Sequence, residues 1–584
     1  MSLLSVFSKT KSKKQSVATQ FRDNSKDVTC DFAIIGSGFG GSVTAMRLAQ
    51  KGYTVAIIEE GKRWNAADFP ESNWNLPKYA WIPEMKFYGI QRISLLDNVM
   101  VLHGAGVGGG SLVYANVLME PDANVFKSWP TSIDWKNELN PYYTEAKKML
   151  GVATNPMIED AEKALDKVSK EMKAEQEAKP TEVGVYFGEA GKKVNDPYFN
   201  GDGPERSGCT GCGGCMVGCK VGAKNTLDKN YLYFAEKWGA EVFAETSAVK
   251  IIPGSDGYTV TTKQSTSLLN KKGPTLHAKN VIVAAGVLGT VDLLLQNRDV
   301  YKTLPDISGQ LGNNVRTNGE SLVGATGFDK SKDMSKGIAI GAVFKPDDNT
   351  TIQAVKYPAG SNLIKLLSLP QIVKNADGKT SKALLGTFKK FPQLMRIWMA
   401  QDWAKQSTIL LTMQKVDENM KLVLKKSPLG PKLASVAGDK PFPPSIPAAE
   451  KAAKELAKQI NGEAQNVATE VLLGRPATAH ILGGCVIGDD KSKGVVNSNH
   501  QVFSYPGLYV CDGSVTPTNL GINPSLTIAS LSERFAAQFP VKDQDLYKKR
   551  QITYSSDTKQ KKQSGGCSGC KSGGSCGGGA KPKA

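Results

Sequence analysis

The sequence predicts an α/β fold, in which a parallel-sheet domain is assembled from both ends of the chain around an inserted antiparallel-sheet domain. Three observations predict it. A strand–glycine turn–helix–strand unit begins at Asp31. Some 440 residues further on comes a second set of glycine-bearing segments: His480-Ile-Leu-Gly-Gly-Cys485, Cys511-Asp512-Gly513-Ser514 and Gly521-Ile-Asn523-Pro524-Ser525. Between them, stretches such as Gly337–Phe344 and Ser407–Gln414 have the alternating character of antiparallel strands.

The N-terminal unit is the most explicit. Phe32 to Ile35 is a short apolar run, as expected of a parallel strand buried on both faces. It feeds into Gly36-x-Gly38-x-x-Gly41, and Ser42 to Lys51 has helical character. Gly36 permits the tight bend, Gly38 lets the backbone approach a pyrophosphate, and Gly41 lets helix and strand pack closely. The helix N-terminus then offers unpaired N–H groups to phosphate. A second apolar run, Tyr53 to Ile58, ends in Glu59, 21 positions after Gly38, the place for a carboxylate that bonds an adenosine ribose hydroxyl. Together these elements predict a Rossmann-like dinucleotide site; the glycine triplet alone reads equally as a structural turn.

The segment Leu102-His-Gly104-Ala-Gly106-Val-Gly108-Gly109-Gly110-Ser111 is too glycine-dense for an ordinary helix or strand. A backbone without side chains suits close approach to a flat group, and a flexible loop is the alternative. This block and the His480–Ser525 block resemble the glucose–methanol–choline (GMC) oxidoreductases, in particular their cholesterol-oxidase-type branch. Ala223–Leu232 and Val281–Thr290 match as well, in the family's order. The resemblance implies FAD, held by Gly36, Gly38, Gly41, Glu59, Gly104, Gly106, Gly110, Ser111, Val249, Asp512, Gly513 and Asn523. It departs at Tyr114 and Ala115, which stand where the sterol enzymes usually have Asn-Gly. It further implies oxidation of a sterol-like or other lipophilic alcohol to a carbonyl by hydride transfer to the flavin N5. A histidine suits the hydroxyl proton, and His480 and Asn523 match the family's active-site pair. The other histidines, His103, His277 and His500, lie outside the catalytic motif and read as structural or exposed. Sterol oxidases also use a substrate-domain glutamate, whose equivalent no motif identifies.

A feature outside that pattern is Cys209-Thr-Gly-Cys212-Gly-Gly-Cys215-Met-Val-Gly-Cys219, with the C-x2-C-x2-C-x3-C spacing of bacterial-type ferredoxins. Lys220 follows where ferredoxins have proline. Three readings stand: an iron–sulfur cluster, a structural zinc site, or thiols without metal. A cluster would send electrons singly to a quinone or cytochrome; without one, oxygen is the expected acceptor, releasing peroxide. An electron-transfer subunit is the reading from a different class.

A chain of 584 residues with 40% hydrophobic content buries a large core and divides into several domains. The formal charge of +18 invites a nucleic-acid reading, but residues 1–27 carry +4 and 541–584 carry +7, leaving +7 for the body. With no aromatic-and-basic motif, nucleic acid is not an expected partner. The clustered cysteines, ten in all, argue against a disulfide framework. No stretch of about twenty apolar residues occurs, so the expectation is a cytoplasmic protein, at most peripheral to membranes. Residues 362–405 mix Leu, Phe, Trp and Met with lysines; core packing is the favoured reading over a lid dipping into a lipid surface. The expected organisation begins with a basic disordered arm (1–27). The FAD-binding domain follows in two stretches, 28–320 with the cysteine loop (205–222) and 441–545 with the catalytic pair. A substrate domain (321–440) separates them, and a disordered Gly/Cys/Lys tail (546–584) ends the chain.

Overall fold

The apolar runs flanking the glycine turn pair as parallel strands. In the computed structural model of the chain, which describes residues 27–267, 271–371, 390–428, 430–442 and 445–555, β1 (Val28–Ile35) lies between β2 (Val55–Ile58) and Leu276–Val283, parallel to both. Glu241–Phe243 extends the sheet beyond β2. Leu276–Val283 has two neighbours on its other side. Its first half pairs antiparallel with Gly257–Gln264 of a hairpin, and its second half pairs parallel with Leu508–Val510. That last strand closes the sheet from the far end of the chain, so the domain is built from both ends.

Helix α1 (Phe39–Gln50) follows the glycine turn, and Ser525–Ala537 packs beside it. Phe32, Ile34, Val43, Met46, Leu508, Leu526 and Phe535 belong to one buried cluster, each contributing about 1.5–3 kcal/mol on leaving water. A buried ion pair locks the two helices: Arg47 contacts Glu533 at 2.6 and 2.8 Å, and the Tyr231 hydroxyl donates to the same carboxylate at 2.7 Å. Burial opposes the Arg47 charge, but Glu533 more than offsets it. His500 is also structural, fully buried and stacked on Phe535, whereas His277 is exposed.

The inserted sheet has seven strands, every pair antiparallel, in the order Ser368–Pro370, Gly462–Val467, Ser321–Gly327, Ser407–Gln414, Thr350–Val355, Ile340–Asp347, Gln176–Pro180. It draws strands from both sides of residues 321–440. One face, with Val323, Ala325, Phe344, Ile352, Ala354 and Leu410, is covered by helices Asp160–Glu171 and Pro447–Gln459. Alanines 449, 452, 453 and 457 let the second helix come close. The opposite face, with Ile340, Val355, Leu411 and Met413, packs against Val117, Val183 and Val185.

In the 362–405 stretch, Ile397 and Trp403 are buried together, whereas Leu366, Phe391, Trp398 and Met399 are exposed; its residues 372–389 lie outside the described residues. So do residues 1–26 of the arm and 556–584 of the tail. Among the described residues no helix is long and apolar enough to cross a membrane.

Candidate active site

Two glycine segments stack to form a cradle at the end of β1. Gly36 has φ +106°, and a Cβ there would sit 2.2 Å from the Ala284 carbonyl oxygen, so only glycine fits. Gly41 is equally constrained: a Cβ would meet the Gly36 oxygen at 2.0 Å. Gly38 differs, because nothing lies within 4 Å of its Cβ position. The Gly104–Ser111 segment lies directly over this turn. A Cβ on Gly109 would come within 2.6 Å of the Gly38 Cα, and the Gly108 N–H donates to Ser37 Oγ at 3.0 Å. Gly110, like Gly38, opens onto free space. Gly104 packs against Gly109, and Ser111 Oγ donates to the Gly108 carbonyl while accepting from the Leu227 N–H.

Glu59 ends β2 and ties the two segments together. Its carboxylate accepts from Ser37 N (3.1 Å), Ser37 Oγ (2.7 Å), Gly61 N (2.9 Å) and Gly106 N (3.2 Å). Burial pushes its carboxyl above the ordinary range, and the Ser37 and Gly61 bonds act against that. No side chain caps α1 at Gly38, and its first turn holds no acidic residue, so its N-terminal amides face the cradle. Two positions where a Cβ meets no protein atom, beside an uncapped helix N-terminus, fit a diphosphate-bearing cofactor. Val249 is the extra residue of a β-bulge between Ala248 and Lys250; its carbonyl accepts from Asn297. A bulge of this kind re-aims one side chain out of a ladder.

The C-terminal segments abut this cradle. A Cβ on Gly40 would strike the Cys511 carbonyl oxygen at 1.6 Å, so α1 touches the turn at Asp512–Gly513. Asp512 accepts from Ser514 N and Oγ and from Thr290 Oγ1, and burial raises its carboxyl despite these bonds. The Gly483 N–H bonds the Gly513 oxygen and Cys485 N the Ser514 oxygen, which lays the segment from His480 alongside.

His480 and Asn523 meet there: Asn523 Nδ2 is 3.3 Å from His480 Nε2. On the other ring nitrogen, Nδ1 bonds Glu320 Oε1, while Glu320 Oε2 accepts from the Ala479 N–H at 2.8 Å. Glu320 is buried at the start of strand Ser321–Gly327. A carboxylate at this position accepts from Nδ1–H and so orients the ring. The approach to this strand also holds the segments that carry His480 and Asn523. Arg316 and Leu482 exchange backbone bonds, and Asn318 (φ +62°) donates to the Ile522 carbonyl while accepting from Leu520 N and Gly521 N.

The four cysteines line one small cavity together with Lys224. Yet among the described residues no three His, Cys, Asp or Glu side chains are arranged to hold a metal ion. Of the three readings of this spacing, the arrangement does not by itself support the iron–sulfur cluster. Cys209 is buried with Val117, Val183 and Val185, Cys215 and Cys219 lie against that cluster, and Cys212 is exposed. Burial pushes the Cys209 thiol up to about 12, and Lys224, fully enclosed, down to about 8. Lys224 Nζ joins this loop to the glycine segment by donating to the Cys215 carbonyl (2.7 Å) and the Leu112 carbonyl (3.0 Å).

A dinucleotide cradle joined to a His–Asn pair at the edge of an inserted antiparallel sheet defines a flavin-dependent oxidoreductase acting on CH–OH groups. The chain belongs to the GMC oxidoreductase family: the family's N-terminal model matches residues 31–298 and its C-terminal model residues 396–532. It is similar to the cholesterol oxidase of Acinetobacter baumannii, with 44% identity over 529 residues covering 88% of this chain and 94% of that protein. A cholesterol oxidase of Mycobacterium tuberculosis (strain ATCC 25618 / H37Rv) is 43% identical over 532 residues, covering 88% and 91%. Among solved structures, a formate oxidase shares the fold with a TM-score of 0.58 at 15% identity, covering 90% of this chain and 100% of that chain.

Proposed function

We propose that the protein oxidises a sterol-like or other lipophilic alcohol to its carbonyl, with His480 as proton acceptor. The observation that carries this is the Glu320–His480–Asn523 arrangement, contributed by three separate segments. FAD held in the glycine cradle supplies the two-electron oxidant for the carbinol carbon. His480 Nε2 takes the hydroxyl proton as the carbon is oxidised. Glu320, bonded at Nδ1, orients the ring and stabilises the positive charge it then carries. Asn523 directs its amide N–H groups toward the same spot and holds the oxygen. On the inserted-sheet face that carries Gln353, Leu322 and Ile409 stay partly exposed beside the buried Val355, Leu411 and Met413. Those apolar side chains, with the two cholesterol oxidase relatives, support a bulky apolar substrate over a sugar.

The test is anaerobic bleaching of the bound flavin by a sterol or long-chain alcohol. His480→Ala is expected to retain FAD absorbance and slow bleaching about 10³-fold; bleaching at the native rate removes His480 from the chemistry. A second reading concerns the electron exit. The shared cavity of Cys209, Cys212, Cys215 and Cys219 supports an iron–sulfur or zinc centre assembled only when metal is supplied. Iron and acid-labile sulfide in stoichiometric amounts favour transfer to a quinone or cytochrome. Peroxide release with neither element favours oxygen as acceptor.

A further inference from the structure

We infer that Gln353 is a positioning residue that sets the orientation of the Asn523 amide and, through it, favours the His480 tautomer with Nε2 unprotonated. The inference rests on the proposed role of His480. Gln353 lies on strand Thr350–Val355 of the inserted sheet and is completely buried. Its Nε2 donates to Asn523 Oδ1 at 2.7 Å.

The direction of every bond in this chain follows from one end. In the neutral ring, the form able to accept a proton, donation from His480 Nδ1–H to Glu320 leaves the lone pair on Nε2. The Asn523 group facing Nε2 must then be its NH2, so its carbonyl oxygen faces Gln353 and needs a donor. Gln353 supplies that donor, and donors run one way from Gln353 through Asn523 and His480 to Glu320. Turned by half a rotation, the Asn523 amide would aim its oxygen at Nε2. That arrangement is satisfied only when Nε2 carries a proton, the form that cannot accept another. An amide's two orientations differ little in shape, so the neighbouring donor decides between them.

Two further observations favour this role over simple packing. Gln353 is flanked on its own face by Val355, Leu411 and Ile409, a setting in which an apolar side chain would pack without polar cost. Its Oε1 is buried with no hydrogen-bonding partner, a cost that an apolar residue would not incur. The residues bracketing the catalytic pair thus both come from the inserted sheet, Glu320 at one end and Gln353 at the other.

The test uses the FAD-loaded protein, labelled with ¹⁵N-histidine, and the Gln353→Met variant, which keeps volume and removes the donor. Four histidines give four ring signatures, and the His480 signature is the one missing from His480→Ala. The native His480 ring is expected to show Nδ1 protonated and Nε2 bare. In Gln353→Met, Nε2 gains a protonated signal, and kcat for anaerobic bleaching falls about tenfold or more with KM changed less than about twofold. Unchanged ring signals with native kcat, or a change confined to KM, overturn the inference. If the Met variant does not fold, Gln353→Leu is subjected to the same comparison. Native bleaching by His480→Ala would remove the proposed chemistry as well. Loss of bleaching there, with a silent Gln353→Met, removes the role of Gln353 alone.

Discussion

The glycine cradle and the cysteine loop are both short, glycine-rich segments with cofactor-like spacing, and they use their glycines in opposite ways. In the cradle, Gly38 and Gly110 face free space, while Gly36 and Gly41 hold the walls that make it. In the cysteine loop, Gly213 and Gly218 are filled against. A Cβ on Gly213 would meet the Ser335 oxygen at 2.3 Å, and one on Gly218 the Phe69 ring at 2.2 Å. The cradle spends its missing side chains on room for a ligand, and the cysteine loop uses them for close packing against Phe69 and the inserted sheet. Spacing alone does not separate these uses; what stands where the side chain would be does.

The sharpest test of the contrast lies within the cradle. Gly36→Val combines a left-handed backbone with a backbone clash, and is expected to cost more than about 4 kcal/mol and yield little soluble protein. Gly38→Ala has ordinary φ (−70°) and meets no protein atom. It should leave the apoprotein's urea midpoint within about 0.5 kcal/mol of native while weakening FAD about tenfold or more by titration. A Gly38→Ala variant that binds FAD normally would break the comparison.

In the cysteine loop, Gly218→Ala is expected to lose about 2–3 kcal/mol of stability with FAD absorbance retained, because the added carbon meets Phe69 rather than a ligand. The smallest effects come from the thiols. Cys209→Ala should cost about 1–2 kcal/mol, and exposed Cys212→Ala no more than about 0.5. Residue-resolved alkylation at pH 8 should mark Cys212 and spare Cys209, whose thiol, pushed up to about 12 by burial, stays protonated until the pH rises much further. Equal losses at all four cysteines would instead point to a shared metal.

The strand, turn, helix and carboxylate of the cradle were legible because their physical demands are local: a bend, a close approach and a buried run within thirty residues. His480 and Asn523 were legible through family motifs. Glu320 was not, since 160 positions separate it from His480; the available signal was an acid beginning an apolar strand after Asn318-Gly319. Gln353 left a fainter one, a lone amide in Thr351-Ile-Gln-Ala-Val355. The strands at Gln176–Pro180 and Gly462–Val467 were missed because their polar sequences lack the alternation that marks a half-buried strand. Gly40 was invisible because its partner, Cys511, comes from the other end of the chain.

Closing the nucleotide-binding sheet with Leu508–Val510 has a consequence in time. During synthesis, Val281–Val283 leaves the ribosome more than two hundred residues before its partner strand, an interval of about 10–50 s at ordinary translation rates. Throughout that interval α1 lacks the Cys511 backbone against which Gly40 rests, and the nascent domain has no Asp512–Gly513 turn. Truncated or stalled chains therefore lack one side of the cradle. Flavin capture thus awaits elongation past Gly513.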